Sequence, residues 1–146
     1  MSPVVSSICI GRPIEQVFAV LTDVELTGRW FPADVEEHWT SPPPHGVGST
    51  RHAVIRMFGR TVENDAVATV YEPPHRATME GMSSNAPFAT TFTFQPTDDG
   101  TRVVATTTFR FTGAQRIVGS LFAGWYRRSF DRGLANLKAL METGSL

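Results

Sequence analysis

Only one cysteine stands in this chain. Cys9 has no internal partner for a disulfide, which suits a reducing compartment, and inside a β-branched segment it reads as a small buried hydrophobe. Blocks of like charge are missing as well. Thirteen Lys and Arg stand against 14 Asp and Glu, for a net charge of −1. With no basic stretch, nucleic acid is not expected as a partner. Long apolar runs are also absent. The longest uncharged one, residues 117–126, is too short to cross a bilayer, so no transmembrane segment is expected. Residues 1–10 lack both a basic start and a long apolar core, so no signal peptide is read there and a cytoplasmic location is expected.

The familiar catalytic signatures are lacking too. Gly46-Val47-Gly48 is followed by no third glycine and opens a strand, so it is not a dinucleotide fingerprint. His38, His45, His52 and His75 show no metal-ligand spacing. Gly119-Ser120 lacks the flanking residues of a nucleophile elbow. No metal and no cofactor are expected, and no motif identifies a catalytic residue.

What is present is enough for one folded domain. The 146 residues are 41% apolar and 18% charged, which is ordinary for a chain with its own core. A proline-free segment, 114–143, lies between Gly113 and Gly144 and reads as one long helix. In its second half Tyr126, Phe130, Leu134, Leu137, Leu140 and Met141 share a face, while Arg127, Arg128, Asp131, Arg132, Asn136 and Lys138 fall off it. Such a helix needs a sheet to lie on.

The preceding chain supplies it. Val4 to Ile10 is a first strand, closed by Gly11-Arg12-Pro13. Ile14, Val17, Phe18 and Leu21 recur at helical spacing, and a second short helical turn ends before Pro32. Residues 33–40 alternate, with Val35, Glu37 and Trp39 on one face; residues 41–46 form a proline-rich loop. A turn at Gly59-Arg60 pairs Met57 with Val62, Ile55 with Asn64, Ala53 with Ala66 and Arg51 with Ala68, and sets Arg56 opposite Glu63. After Pro73-Pro74 a strand covers about residues 76–82. The last hairpin turns at residues 97–100 and matches Phe94 to Val103, Phe92 to Ala105, Thr90 to Thr107 and Phe88 to Phe109. The sheet thus has one mainly apolar face.

Several landmarks recur in a fixed order: Pro13 with Val17, Phe18 and Leu21; Asp23, Trp30 and Pro32; Gly46-Val47-Gly48; Glu72-Pro73-Pro74-His75-Arg76; Gly100-Thr101; then Leu134, Leu137-Lys138 and Glu142. In these the chain resembles the START-like, or helix-grip, superfamily (SRPBCC), and more narrowly its polyketide cyclase/dehydrase-like bacterial branch. The resemblance spans nearly the whole chain, 1–146, as a single START-like domain. It implies an α+β helix-grip fold: a curved seven-stranded antiparallel sheet wrapped around a long C-terminal helix, with two short helices between strands 1 and 2. It also implies a cavity between sheet and helix for an apolar ligand, as in lipid-binding relatives.

The inward face carries Ile55, Met57, Phe88, Phe92, Phe94, Phe109 and Phe111, alongside the short residues Ala53, Ala66, Ala68, Ala105, Thr90 and Thr107. So many short side chains leave room opposite the aromatics for a small molecule. Ligand-binding candidates are therefore Ala53, Ile55, Met57, Ala66, Phe88, Thr90, Phe92, Phe109, Phe122 and Phe130, with Trp30, Trp39 and Tyr126 at the cavity mouth. Two polar residues fall inward, Arg51 and Asn64. Arg51 has two readings: a strand-end residue reaching water or an acid such as Glu37 or Glu80, or the charged handle for an anionic ligand oxygen. Asn64 either satisfies a backbone group or orients the same ligand.

Three functions stand on these residues. The first is binding of a small hydrophobic, ring-containing molecule without chemistry. The second is a cyclase- or dehydratase-type enzyme, in which Arg51 steadies an enolate and His38, Tyr126 or Glu80 exchanges protons. The third is a protein-interaction module. Ile117, Leu121 and Trp125 form a second apolar stripe, a face suited to a homodimer through the first half of the helix unless loops cover it.

Overall fold

The computed structural model describes residues 3–57, 59–83, 86–111, 113 and 115–146, and the side chains of 83, 115 and 117 fall outside that description. Strand β1 (Val4–Ile10) alternates buried and exposed residues with the period of two that a half-buried strand requires. That period corrects the expectation for Cys9, which shares the outer face with Val5 and Ser7 and is exposed. Helix α1 (Ile14–Leu21) follows Pro13 and buries Val17, Phe18 and Leu21. A 3₁₀ turn (Val24–Leu26), capped by Asp23, and the single turn α2 (Thr27–Trp30) complete the short helical region.

Strands β2 (Asp34–Trp39), β3 (Thr50–Met57), β4 (Arg60–Glu72), β5 (Arg76–Ser83), β6 (Ala86–Thr97) and β7 (Gly100–Phe109) then form one antiparallel sheet with β1, in the order β1-β7-β6-β5-β4-β3-β2. The sheet is a curved half-barrel around helix α3 (Gln115–Glu142). A register shift between Ala68 and Val70 puts an irregularity in β4, of the kind that bends a strand.

The β6–β7 pairing is the one expected, from Phe94↔Val103 out to Phe88↔Phe109. The β3–β4 pairing differs by two residues. Met57 faces Arg60, Ile55 faces Val62, Ala53 faces Asn64 and Arg51 faces Ala66. The turn lies one residue earlier than the Gly59-Arg60 reading, with Gly59 in the left-handed region at φ +71°. Moving a hairpin turn by one residue slides the partners by two, so every side chain keeps its face. The Arg56–Glu63 pair is lost. Arg56 lies opposite Thr61 and instead reaches Asp34 and Glu36 on β2, at 3.4 and 3.5 Å.

The core lies where α1, α2 and the C-terminal half of α3 meet the sheet. Ile10, Val17, Phe18, Leu21, Trp30, Phe94, Val103, Ala105, Phe130, Leu134, Leu137 and Met141 are all buried there. Polar ties fix this half of α3 in place. Ser6 donates to Asp131, Lys138 Nζ to the Cys9 carbonyl at 2.7 Å, and the Gly11 amide to Glu142 at 2.7 Å. Arg127, Arg128, Asp131, Arg132 and Asn136 are exposed, as their positions on the helix require.

Candidate functional site

Two rows of residues running across the strands build the inward face. In one, Trp39, Arg51, Ala66, Gly81, Phe88 and Phe109 are successive cross-strand partners from β2 to β7. In the next, Glu37, Ala53 and Asn64 are partners. Glu37 and Asn64 are therefore the diagonal neighbours of Arg51, within reach of a long side chain. The small residues Ala66 and Gly81 separate Arg51 from Phe88. A Cβ at Gly81 would come within 2.0 Å of the Asp65 carbonyl and 2.9 Å of the Ala66 Cβ, so only glycine fits there. Over this low ground the Arg51 guanidinium reaches within 5.7 Å of the Phe88 ring centre.

Arg51 is 7% exposed and faces inward, paired with Glu37, one of the two acids its sequence position suggested. Its Nε lies 3.2 Å from Glu37 Oε2, close enough for an ion pair but without hydrogen-bond alignment. Nη1 donates to the side-chain oxygen of Asn64 and to its carbonyl. Asn64 thus does its work on Arg51. Burial pushes the Glu37 carboxyl above its ordinary range, while Arg51 and the Thr27 hydroxyl pull it back. Burial lowers the Arg51 guanidinium, against the pull of Glu37.

Tyr126 extends the polar set from α3. Its hydroxyl accepts from Thr107 at 3.4 Å, and Thr107 lies 3.0 Å from Thr90. Burial raises the phenol above its ordinary value, so it stays an O–H donor at neutral pH.

Aromatic rings continue outward from this cluster. Phe109 stacks with Phe111 and meets Phe122 and Tyr126 edge-on, at 5.5, 5.2 and 5.1 Å between ring centres. Phe88 lies 6.4 Å from Phe109. Phe88, Phe92, Phe111, Phe122 and Tyr126 are only half-buried although they face inward, and so are Ile55, Met57 and Val62. The concave face thus has two regions: a closed core toward Leu134 and a region of half-buried aromatic side chains toward Phe122.

This division sorts the residues expected from the sequence. Arg51, Ala53, Ile55, Met57, Asn64, Ala66, Phe88, Thr90, Phe109, Phe122 and Tyr126 share the inward face outside the closed core. Trp39 is half-buried at its edge, stacked on His45 at 3.9 Å. Trp30 and Phe130 lie in the closed core, 5.9 Å apart, and half-buried Phe92 packs against that core beside Phe94 and Phe130. Trp30 is 3% exposed and stands at no mouth. His38 and Glu80 are exposed on the outer face, which removes them as proton carriers on the inward one. On that outer face His52 holds Asp65 at 2.7 Å and Glu63 at 3.2 Å. Two residues of the polar cluster stand outside the ligand-binding candidates: Glu37, which the sequence offers only as one possible acid for Arg51, and Thr107, which it offers only as a short inward residue. The signal for Glu37 was present: an acid between Val35 and Trp39 on the apolar side of its strand.

Along α3, the second apolar stripe divides. Leu121 is 75% exposed, Trp125 is half-buried against Phe122 at 5.8 Å, and the Ile117 side chain lies outside the described residues. Beside Leu121 a groove of about 510 Å³ runs between β1 and α3, lined by Val4, Val5, Ser120, Ala123, Gly124 and Arg127 with Pro3. Among the described residues, no helix is long and apolar enough to cross a membrane, and no group of three or more His, Cys, Asp or Glu is placed to hold a metal ion.

Comparison with known proteins places this geometry. A family model described as polyketide cyclase / dehydrase and lipid transport matches residues 1–142. The chain is 28% identical over 128 residues to the uncharacterized proteins Rv2574 of Mycobacterium tuberculosis and Mb2604 of Mycobacterium bovis, covering 85% of this chain and 75% of theirs. TTHA0849 from Thermus thermophilus superposes with a TM-score of 0.81 at 19% identity, over 99% of this chain and 100% of that one. DynU16, from the dynemicin biosynthetic locus, superposes at 0.68 with 18% identity, over 99% of this chain and 48% of that one. At such identities the structural likenesses speak for the fold alone.

Proposed function

Because the chain belongs to the polyketide cyclase/dehydrase and lipid transport family, we propose that it binds a small hydrophobic, ring-containing molecule between the concave sheet face and the N-terminal half of α3. One observation carries the reading: inward-facing Phe88, Phe111, Phe122 and Tyr126 keep solvent contact beside a closed core. Rings on that face offer a flat apolar guest stacking and edge contacts. The buried polar cluster at Arg51 and Tyr126 gives one end of the guest something to orient against.

Filling the cleft is the test. Ala66 lies outside the core cluster, between Arg51 and Gly81, and Ala66→Phe projects a ring into the cleft. The variant is expected to lose binding of 2-acetylnaphthalene while staying folded, because overpacking costs about 1–3 kcal/mol. Ala105→Phe, which enters the closed core, is expected to unfold more readily instead. Full binding by folded Ala66→Phe would remove the cleft as the site.

A second reading, cyclase- or dehydratase-type chemistry, is supported by Glu37. A buried carboxyl raised above its usual range takes and returns a proton at neutral pH more readily than an exposed one. If it acts so, Glu37→Gln lowers turnover of a polyketide-like substrate by about a hundredfold or more. Unchanged turnover in that variant excludes Glu37 as the base.

A further inference from the structure

We propose that Glu37 makes this cleft selective for uncharged ligands: a ring system bearing a carbonyl or hydroxyl oxygen is accepted, and its carboxylate counterpart is refused. The inference rests on the binding reading above and adds the ligand's charge to it.

A lone buried guanidinium would invite an anion. Here the guanidinium is already answered. Glu37 stands 3.2 Å from its Nε, with side-chain exposures of 9% for Arg51 and 12% for Glu37. Asn64 takes Nη1 through both of its oxygens. The pair has no net charge to offer a newcomer. A ligand carboxylate entering the cleft would give up its hydration and then meet the Glu37 carboxylate as a like charge beside the same cation. Specificity of this sort comes from what is repelled as much as from what is held.

A neutral oxygen pays neither penalty, and donors remain for it. Tyr126 supplies a phenol, with the hydroxyls of Thr107 and Thr90 behind it. The phenol stays protonated, since burial raises it. The cluster therefore presents hydrogen-bond donors without presenting a positive charge, and this is the combination that suits a ketone, an ester or a neutral alcohol.

The test compares two probes with one ring skeleton, 2-acetylnaphthalene and 2-naphthoate, titrated calorimetrically into the whole chain. The wild-type protein is expected to bind the ketone at least about tenfold more tightly. In Glu37→Gln the charge of Arg51 is released, and the ratio is expected to shrink or reverse in favour of the anion. Should that variant fail to fold, the double variant Glu37→Gln with Arg51→Met has no buried charge and is expected to keep the preference for the ketone. Equal or tighter binding of naphthoate by the wild-type chain overturns the selectivity and leaves the binding proposal standing. Binding of neither probe overturns the binding proposal and this inference with it. An unchanged ratio in folded Glu37→Gln rules out Glu37 as the cause.

Discussion

Arg51→Met is expected to lower the stability of the folded chain by about 3–5 kcal/mol at neutral pH, the usual range for breaking a buried ion pair from one side. Part of that loss should return on mild acidification. The substitution keeps much of the side-chain volume, so the damage is electrostatic: Glu37 is left 12% exposed with no cation beside it. Burial already raises its carboxyl in the folded protein, and Arg51 is the larger of the two influences that lower it. Without Arg51 the folded carboxyl rises further above the unfolded value of about 4.3. Between those two values the folded state binds more protons than the unfolded one. Stability is therefore greatest below the unfolded value and falls as pH rises through the folded value. Urea titrations of wild type and variant at pH 5 and pH 7.5 measure the difference directly. A deficit that is the same at both pH values would show that Glu37 carries no unpaired charge in the variant.

The second large effect comes from α3, whose two apolar stripes are expected to behave oppositely. Leu134 and Leu137 are 1% and 0% exposed within the core. Truncating either to alanine leaves a cavity and should cost about 2–5 kcal/mol. Leu121→Ser, on a side chain 75% exposed, should stay within about 0.5 kcal/mol of wild type. Chemical denaturation of the three variants reads all of this. A loss of more than 1 kcal/mol for Leu121→Ser, on the scale of a buried side chain, would mean that its face is covered in solution.

Much of this architecture was open to reading because its signals are local. The β6–β7 register followed from a turn ending in Gly100, whose Cβ would strike the Ile10 carbonyl at 2.1 Å. The helix face followed from spacing alone. The β3–β4 register was misplaced because Gly59 suits more than one turn position, yet the faces survived, as an even slip preserves them. Cys9 was misjudged on residue type, when its place in the alternation decided its exposure. The candidate site was harder to read. Arg51 and Asn64 were visible as inward polar residues, but their meaning depends on which strand lies beside β3. Nothing within β3 and β4 chooses between Glu37 and Glu80 as the acid for Arg51; the edge strand brings Glu37 alongside. Trp30 shows the same limit: its type suggested a cavity mouth, whereas the packing of α2 on α3 set it 5.9 Å from Phe130 inside the core. Local pattern fixes which way a side chain faces; tertiary neighbours fix what it meets.

The half-barrel never closes, and an open sheet has two raw rims. One is β1, alongside which α3 is laced by Ser6–Asp131 and the Lys138–Cys9 contact. The other is β2, partly covered by the 3₁₀ turn and α2, where the Trp39 amide donates to Glu25 at 3.5 Å and Gly28 lies against the Val35 carbonyl; its outward positions are Asp34, Glu36 and His38. Among the described residues, Arg56 is the cation paired with both carboxylates. A second copy adding its own β2 in antiparallel fashion would bring acid against acid along the seam, which is how natural sheets keep a rim from becoming a template for aggregation. This part of the defence is electrostatic, so it weakens with salt and with acid. Glu37, on the other side of the same strand, takes no part in it. One short strand thus carries two separate assignments, guarding the rim with its outward acids and balancing the charge of Arg51 with its inward one.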